Sequence, residues 1–365
     1  MHAPHFSFQT RLITGFAGIC LLIGLLSLGV GTSIINRTVF NEAANRISQD
    51  LNSAWEIFTE PLKRTYPAFE LTASDEWIRS AIREGRDDEV VARLKELREI
   101  LALDFVSLLL PGDPSTRIGS DGTIAPAESI ENTFIETSVV RKVPLSGVEI
   151  LSQPFLMAED PRLAEQARVS IVPTPHAEPR PDTEEVRALA MVTSFPIILG
   201  GKVRAVLYGG VILNKNNAVV DRIRDTVFRF ETYNGINIGT ATVFFNDLRI
   251  ATNVTSGSGD RAIGTQVSKE VKTSVLLNGK RWSDRAFVVN NWYKTAYDPI
   301  EDTEGNRIGM LYVGVLEAKY VDFRREALKL YILIIIGGLC AAILLGYLLS
   351  RYLLSPVNLL IDASR

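Results

Sequence analysis

The chain has 365 residues, with 39 Lys and Arg against 42 Asp and Glu and a formal net charge of −3. That balance leaves no basic footprint for a nucleic-acid partner. Two cysteines and three histidines cannot furnish a disulfide framework, and they show no His/Cys spacing of a metal site.

Residues 1–11 read as a short tail. Leu12 to Ile35 then holds no charged residue, and neither does Leu330 to Ser350 near the other end. At about 1.5 Å per residue, each run is long enough for a helix to cross roughly 30 Å of hydrocarbon. Arg11 and Arg37 bracket the first run, and Lys329 and Arg351 the second. The first run is longer than the apolar stretch of a signal peptide, and no A-x-A-like site follows it. The expectation is two transmembrane helices, 12–35 and 330–350, with both termini cytoplasmic and the mixed sequence between them exported. Arg11, Arg351 and Arg365 support that orientation only thinly, because the charges of a long insert do not vote. Both cysteines, Cys20 and Cys340, fall inside the apolar runs, so the exported part carries no thiolate and no disulfide.

After the first run, Phe40, Ala43, Ile47, Leu51, Ala54, Phe58 and Leu62 recur at three- and four-residue steps. They form one stripe of a stalk helix, expected to end near Pro61 and Pro67 and suited to packing on its own domain and on a second protomer. Val90, Leu94, Leu97 and Leu101 mark another amphipathic helix, with its carboxylates on the solvated face. "DFVSLLLPGDPSTRIGSDG" has the form strand, turn, strand, and "SGVEIL" is a short strand. "PTPHAEPRPDTEE" is a Pro-rich polar flap that includes His176. "RALAMVTSFPIILGGKVRAVLYGGVILN" reads as two strands joined at Gly200-Gly201.

From Asn214 the order starts again. Val220, Ile223, Val227 and Phe230 make a helix stripe, and "GTATVFFNDLRIATNV" is a strand pair about Asn246-Asp247. "VSKEVKTSVLLNG" is a short helix ended by Asn278-Gly279, and "DRAFVVNNWYKTAYDPI" is a strand pair with a turn at Asn290-Asn291. "NRIGMLYVGVLE" is the last strand. Leu207-Tyr208 and Leu311-Tyr312 stand 104 positions apart, as do Gly210 and Gly314, and each copy follows a strand ending in Pro-Ile. This spacing predicts two tandem α+β modules of antiparallel sheet with flanking helices, 36–213 with the stalk and 214–320.

The segments "LDFVSLLL", "LYGGVILN", "GTATVFFNDLRIATNV", "RAIGTQVSKEV" and "RAFVVNNWYKTAYDPI", in this order, resemble bacterial Cache-type sensory domains. The resemblance is to the group that fuses a membrane-distal Cache unit to a membrane-proximal one. It implies PAS-like modules of a homodimeric receptor in the bacterial inner membrane, with a large periplasmic or extracellular domain. The expected ligand is a small molecule such as an amino acid, an organic acid or an amine. "RYLLSPVNLLIDASR", residues 351–365, resembles the opening of a HAMP linker. On that likeness a missing output module of histidine-kinase, chemotaxis or cyclic-dinucleotide type would follow.

In the membrane-proximal module, aromatic, hydroxyl and carboxylate groups crowd Trp292 to Asp298. Arg285 offers a bidentate donor to a carboxylate, and Asn290 or Asp298 suits an amine or hydroxyl. Trp292, Tyr293 and Tyr297 complete this candidate site. Strand alternation separates Trp292 and Asp298 from Tyr293 and Tyr297, so one set only is expected to face a pocket. The membrane-distal module offers Arg117, Ser194 and the flap around His176, and the resemblance favours that module over the proximal one. No catalytic residue, cofactor or metal site is expected. A module that senses a periplasmic protein partner is the alternative, and a membrane-tethered exported hydrolase is a remote one.

Overall fold

The computed structural model describes residues 8–112, 114–127, 133–257, 259–289 and 291–363. The chain divides into two units, Met1–Asn45 with Glu317–Arg365, and Arg46–Leu316. The first unit is helical, built from the start of α1 (Phe8–Ser74) and from α9 (Glu317–Ala363). Both helices are long and apolar enough to cross a membrane. Within this unit the Tyr331 hydroxyl donates to the Ser27 carbonyl at 2.8 Å. The Tyr331 ring occupies the place a Cβ on Gly31 would take, so a residue without a side chain admits it, as is common where apolar helices pack closely.

In the second unit α1 does not stop at its prolines. Pro61 and Pro67 lie inside the helix, although an interior proline removes a hydrogen bond and costs on the order of 3 kcal/mol. Packing outweighs that cost. Ile47, Leu51, Ala54, Phe58, Phe69 and Ala73 are all buried along one face. Because the stripe is covered by the chain's own residues, it gives no support to a stalk shared between two protomers.

After α1 come α2 (Glu76–Glu84) and α3 (Asp87–Leu101). Asp75 caps α2 by accepting from the Trp77 N–H, and Gly85 ends it in the left-handed conformation. The first sheet and its cover are built from β1 (Phe105–Leu110), β2 (Thr116–Gly119), β3 (Ile124–Pro126), α4 (Thr133–Arg141), β4 (Leu145–Leu151), α5 (Gln153–Glu159) and α6 (Pro161–Ala167). A two-stranded ribbon, β5 (Val169–Ser170) with β6 (Glu184–Glu185), precedes the long hairpin of β7 (Ala188–Leu199) and β8 (Lys202–Ile212). The second module runs through α7 (Asn217–Phe228), a ribbon of β9 (Thr232–Tyr233) and β10 (Ile236–Asn237), β11 (Gly239–Phe245) and β12 (Leu248–Thr252). It continues with α8 (Lys269–Lys272), a wide helical turn at Thr273–Leu277, β13 (Trp282–Val288), β14 (Asn291–Glu301) and β15 (Arg307–Leu316). Phe230, expected on the α7 stripe, lies past the helix end and is exposed, and Phe228 is buried instead.

The strand order is β3-β2-β1-β8-β7-β4 in the first sheet and β12-β11-β15-β14-β13 in the second. Apart from the extra β3, the two orders are the same, and all pairs are antiparallel. The repeat read in the sequence is therefore a repeat of topology. Even its irregularities recur, since the register shifts between Ile197 and Ile198 after Pro196, and between Ile300 and Glu301 after Pro299. The two L-Y-x-G-V copies are the central strands β8 and β15, with Tyr208 and Tyr312 fully buried.

One face of the first sheet packs Val106, Leu108 and Leu207 against Phe69, Ile78, Val90 and Leu94 of α1, α2 and α3. Its other face packs Phe105 and Tyr208 against Phe134, Phe155 and Leu156 of α4 and α5. In the second sheet, Phe244, Tyr297, Met310 and Tyr312 share a core with Val271 and Val275. Gly314 is tied to that core, because a Cβ there would overlap the Tyr312 hydroxyl and lie 2.9 Å from Thr240 Oγ1. Gly314→Ala should lower the unfolding free energy by about 1–3 kcal/mol, the usual cost of overpacking. Thermal or denaturant unfolding of the variant checks this.

Candidate functional site

On the helix-covered face of the second sheet lies a cavity of about 1300 Å³, larger than the roughly 300–1,000 Å³ of ordinary small-molecule sites. Arg249 of β12 and Tyr297 of β14 form part of its wall. Val267, Val271 and Ser274 come from the segment through α8 and the wide turn, and Trp282, Ala286 and Val288 from β13. Arg285, Phe287 and Trp292 also line it. Trp292 pairs with Phe287, whereas Tyr297 pairs with Trp282, so these residues alternate to opposite sides of the ribbon. Both sets therefore contribute, contrary to the expectation of one, because β13 is the edge strand and the cavity extends past it.

The Pro-rich flap forms part of the cavity wall through Pro173, Thr174, Pro175 and His176. It belongs to this site and not to the first module, to which sequence order assigned it. Thr174 Oγ1 accepts from the Gln266 N–H at 2.9 Å, the His176 carbonyl accepts from the Lys269 N–H at 2.9 Å, and Val172 N–H donates to the Gly264 carbonyl at 2.8 Å. Glu178 pairs with Lys272 at 3.0 Å, and Arg180 with Asp247 at 3.2 Å. Thr174 and His176 line the cavity. His176 has φ +66°, a left-handed conformation that a non-glycine residue holds only where its surroundings impose it; the hydrogen bond to its carbonyl is part of that constraint.

Arg249 is the cavity's buried charge, 5% exposed. Its Nη1 donates to Thr265 Oγ1 at 2.6 Å, and its guanidinium lies 5.2 Å from the Phe244 ring centroid. Its Nε has no partner among the described residues. Burial pulls this guanidinium below its ordinary value. Trp282 Nε1 is likewise buried without a partner. Arg249 sits in a strand of apolar and small residues, and no local motif marks it. Its correspondence to Arg117 of the other module emerges only when the strands are paired.

Of the residues singled out in the sequence, Arg285, Trp292 and Tyr297 line the cavity. Arg285 is exposed and lies 3.9 Å over the Trp292 ring, a cation–π contact at the outer end. Tyr293 is buried in the adjoining aromatic core. Asn290 lies outside the described residues. Asp298 is turned toward the stalk, where it accepts from Trp55 Nε1 at 2.9 Å and pairs with Arg281 at 2.7 Å.

The equivalent face of the first module is filled. Arg117 Nη1 donates to Glu159 Oε2 at 3.1 Å and to Ser107 Oγ at 3.2 Å. Ser107 donates to Glu159 Oε2 at 2.7 Å, and the Tyr208 hydroxyl to Glu159 Oε1 at 2.6 Å. Burial pushes the Glu159 carboxyl above its ordinary range, against the pull of Arg117 and the hydroxyls. Ser194 is buried and shares a hydrogen bond of 2.7 Å with Ser138. Phe105, Phe134, Phe155 and Tyr208 pack around this network with ring centroids 5.8–6.4 Å apart. Both residues offered for a distal site thus spend their polar groups inside the fold.

Residues 211–327 match the family model of single cache domain 3. The second module is a Cache domain. The first module shares its strand order. Among solved structures, the chain is similar to the periplasmic domain of Vibrio cholerae LuxQ, at 12% identity and TM-score 0.42, over 74% of this chain and 99% of that one. It is also similar to the sensory domain of the Campylobacter jejuni chemoreceptor Tlp3, at 10% identity and TM-score 0.47, over 80% and 98%. The ligand-binding domain of Mlp24 with asparagine matches at 10% identity and TM-score 0.39, over 80% and 98%. No curated protein matches the sequence. Among the described residues, no group of His, Cys, Asp and Glu is arranged to hold a metal ion.

Glu159→Ala would leave Arg117 buried without its counter-charge and should cost about 3–5 kcal/mol of stability. Replacing both residues with Met and Leu should recover most of that loss. Thermal unfolding of the single and double variants reads the difference.

Proposed function

We propose that this chain is the sensory part of a transmembrane receptor that binds a small molecule in the cavity of its second module. The observation that carries the reading is the roomy cavity, lined by apolar and aromatic side chains and a few donors, beside a first module whose equivalent face is filled. The two long apolar helices support a chain that enters and leaves a membrane on either side of the modules. The chain works as a sensor and not as a catalyst, and its output is made by a module joined through the HAMP-like segment 351–365, whose opening continues α9.

A route for the signal follows from the packing. Tyr297 lines the cavity, and its ring centroid lies 4.7 Å from that of Tyr312 on the central strand β15. Leu316 at the end of β15 is followed directly by Glu317, the first residue of α9. A ligand that presses on Tyr297 bears on Tyr312, on β15 and on the start of α9. It shifts the equilibrium only by its difference in affinity for two positions of that strand.

The test is a thermal-unfolding screen of the purified chain in detergent micelles against a broad library of small metabolites. A binding compound at about 100 times its dissociation constant should add about 2.7 kcal/mol to the folded state. Ala286→Trp, which places a bulky ring in the cavity wall, should abolish the shift while leaving the chain folded. If no compound shifts the unfolding of the parent chain, or if Ala286→Trp responds like the parent, the reading is wrong.

A further inference from the structure

The two modules repeat one register, and the repetition says what the cavity takes; this inference rests on the cavity's being a ligand site. In the first module Ser107 stands opposite Tyr208, and Leu109, two residues further along β1, stands opposite Arg117. In the second, Thr242 stands opposite Tyr312, and Phe244, two residues further along β11, stands opposite Arg249. Arg117 and Arg249 therefore hold the same position on the same face of equivalent sheets. Ser194 and Tyr297 correspond in the same way, paired with Tyr208 and Tyr312.

The chain supplies a carboxylate to one arginine and not to the other. Glu159 meets Arg117, and its two oxygens take the guanidinium and two hydroxyls. Arg249 is nearly as buried, at 5% against 3%, yet it forms no ion pair among the described residues. Glu270, which lines the cavity, is exposed. A buried charge without a counter-charge is costly, and a guanidinium presents two parallel donors to a carboxylate. Around it the wall offers further donors, Trp282 Nε1 without a partner and the Tyr297 hydroxyl.

We propose that the cavity binds a small molecule through a carboxylate, which stands at Arg249 as the carboxylate of Glu159 stands at Arg117. The rest of the ligand lies against the apolar wall of Val267, Val271 and Val288. A cationic amine without a carboxylate would meet the buried positive charge and is excluded.

The experiment uses the full chain in detergent micelles and pairs of probes that share one skeleton. Acetate, succinate and benzoate are set against acetamide, succinamide and benzamide, with glutamate, benzylamine and inorganic phosphate in parallel. The expected result is a rise in unfolding temperature with at least one carboxylate and none with its amide. Arg249→Gln should weaken that carboxylate about 10- to 100-fold, the worth of a hydrogen bond to a charged group, with Arg249→Lys between the two. Tyr297→Phe, which keeps the ring, should weaken it about threefold and serves if Arg249→Gln fails to fold. Amides, benzylamine or phosphate binding as well as the best carboxylate would overturn the carboxylate assignment while leaving the cavity a ligand site. So would carboxylate binding that is indifferent to both substitutions. No shift from any probe also overturns it, and the broad metabolite screen then decides separately whether the cavity binds anything.

Discussion

A guanidinium buried against a sheet has to be met by negative charge, and the two modules meet this demand differently. In the first, Glu159 closes the account from within, and Phe134, Phe155 and Leu156 fill the space around it. In the second, the covering segment is the short α8 with its wide turn, and it brings no carboxylate to Arg249. The same sheet is a sealed core in one copy and the wall of a cavity in the other. The difference lies in what each copy packs over its helix-covered face, since the strand order is shared.

The stalk and the flap hold this arrangement in place. Trp55 and Asp298 tie α1 to the second sheet, while Phe69 and Ala73 of the same helix sit in the core of the first module. The flap between β5 and β6 hydrogen-bonds along 264–269 and lines the cavity of the second module.

Much of the fold was legible in the sequence, because strands alternate and the L-Y-x-G-V copies recur at fixed spacing. The hairpins at Gly200-Gly201 and Asn246-Asp247 and the α3 stripe follow from local pattern alone. What local pattern missed depended on tertiary packing. Pro61 and Pro67 sit within α1 because a buried face outweighs two lost hydrogen bonds. Asp298 lies within β14 but is claimed by Trp55 of α1 and by Arg281, contacts that only the tertiary fold sets up. Arg249 escaped notice because a bulge between Val243 and Phe244 obscures its equivalence to Arg117 until the strands are paired. Trp292, Tyr297 and Arg285 were found by composition and do line the cavity, although from two sides of the ribbon.

The asymmetry between the two arginines is the centre of the account, and stability measurements on the ligand-free chain test it most directly. Arg117→Gln and Arg249→Gln are compared by denaturant unfolding in the same micelles. Losing Arg117 strands a buried carboxylate and should cost about 3–5 kcal/mol. Losing Arg249 removes a buried charge that has no counter-charge among the described residues, so that variant should stay within about 1 kcal/mol of the parent or exceed it. Equal, large losses for both would contradict the account and make Arg249 a structural residue.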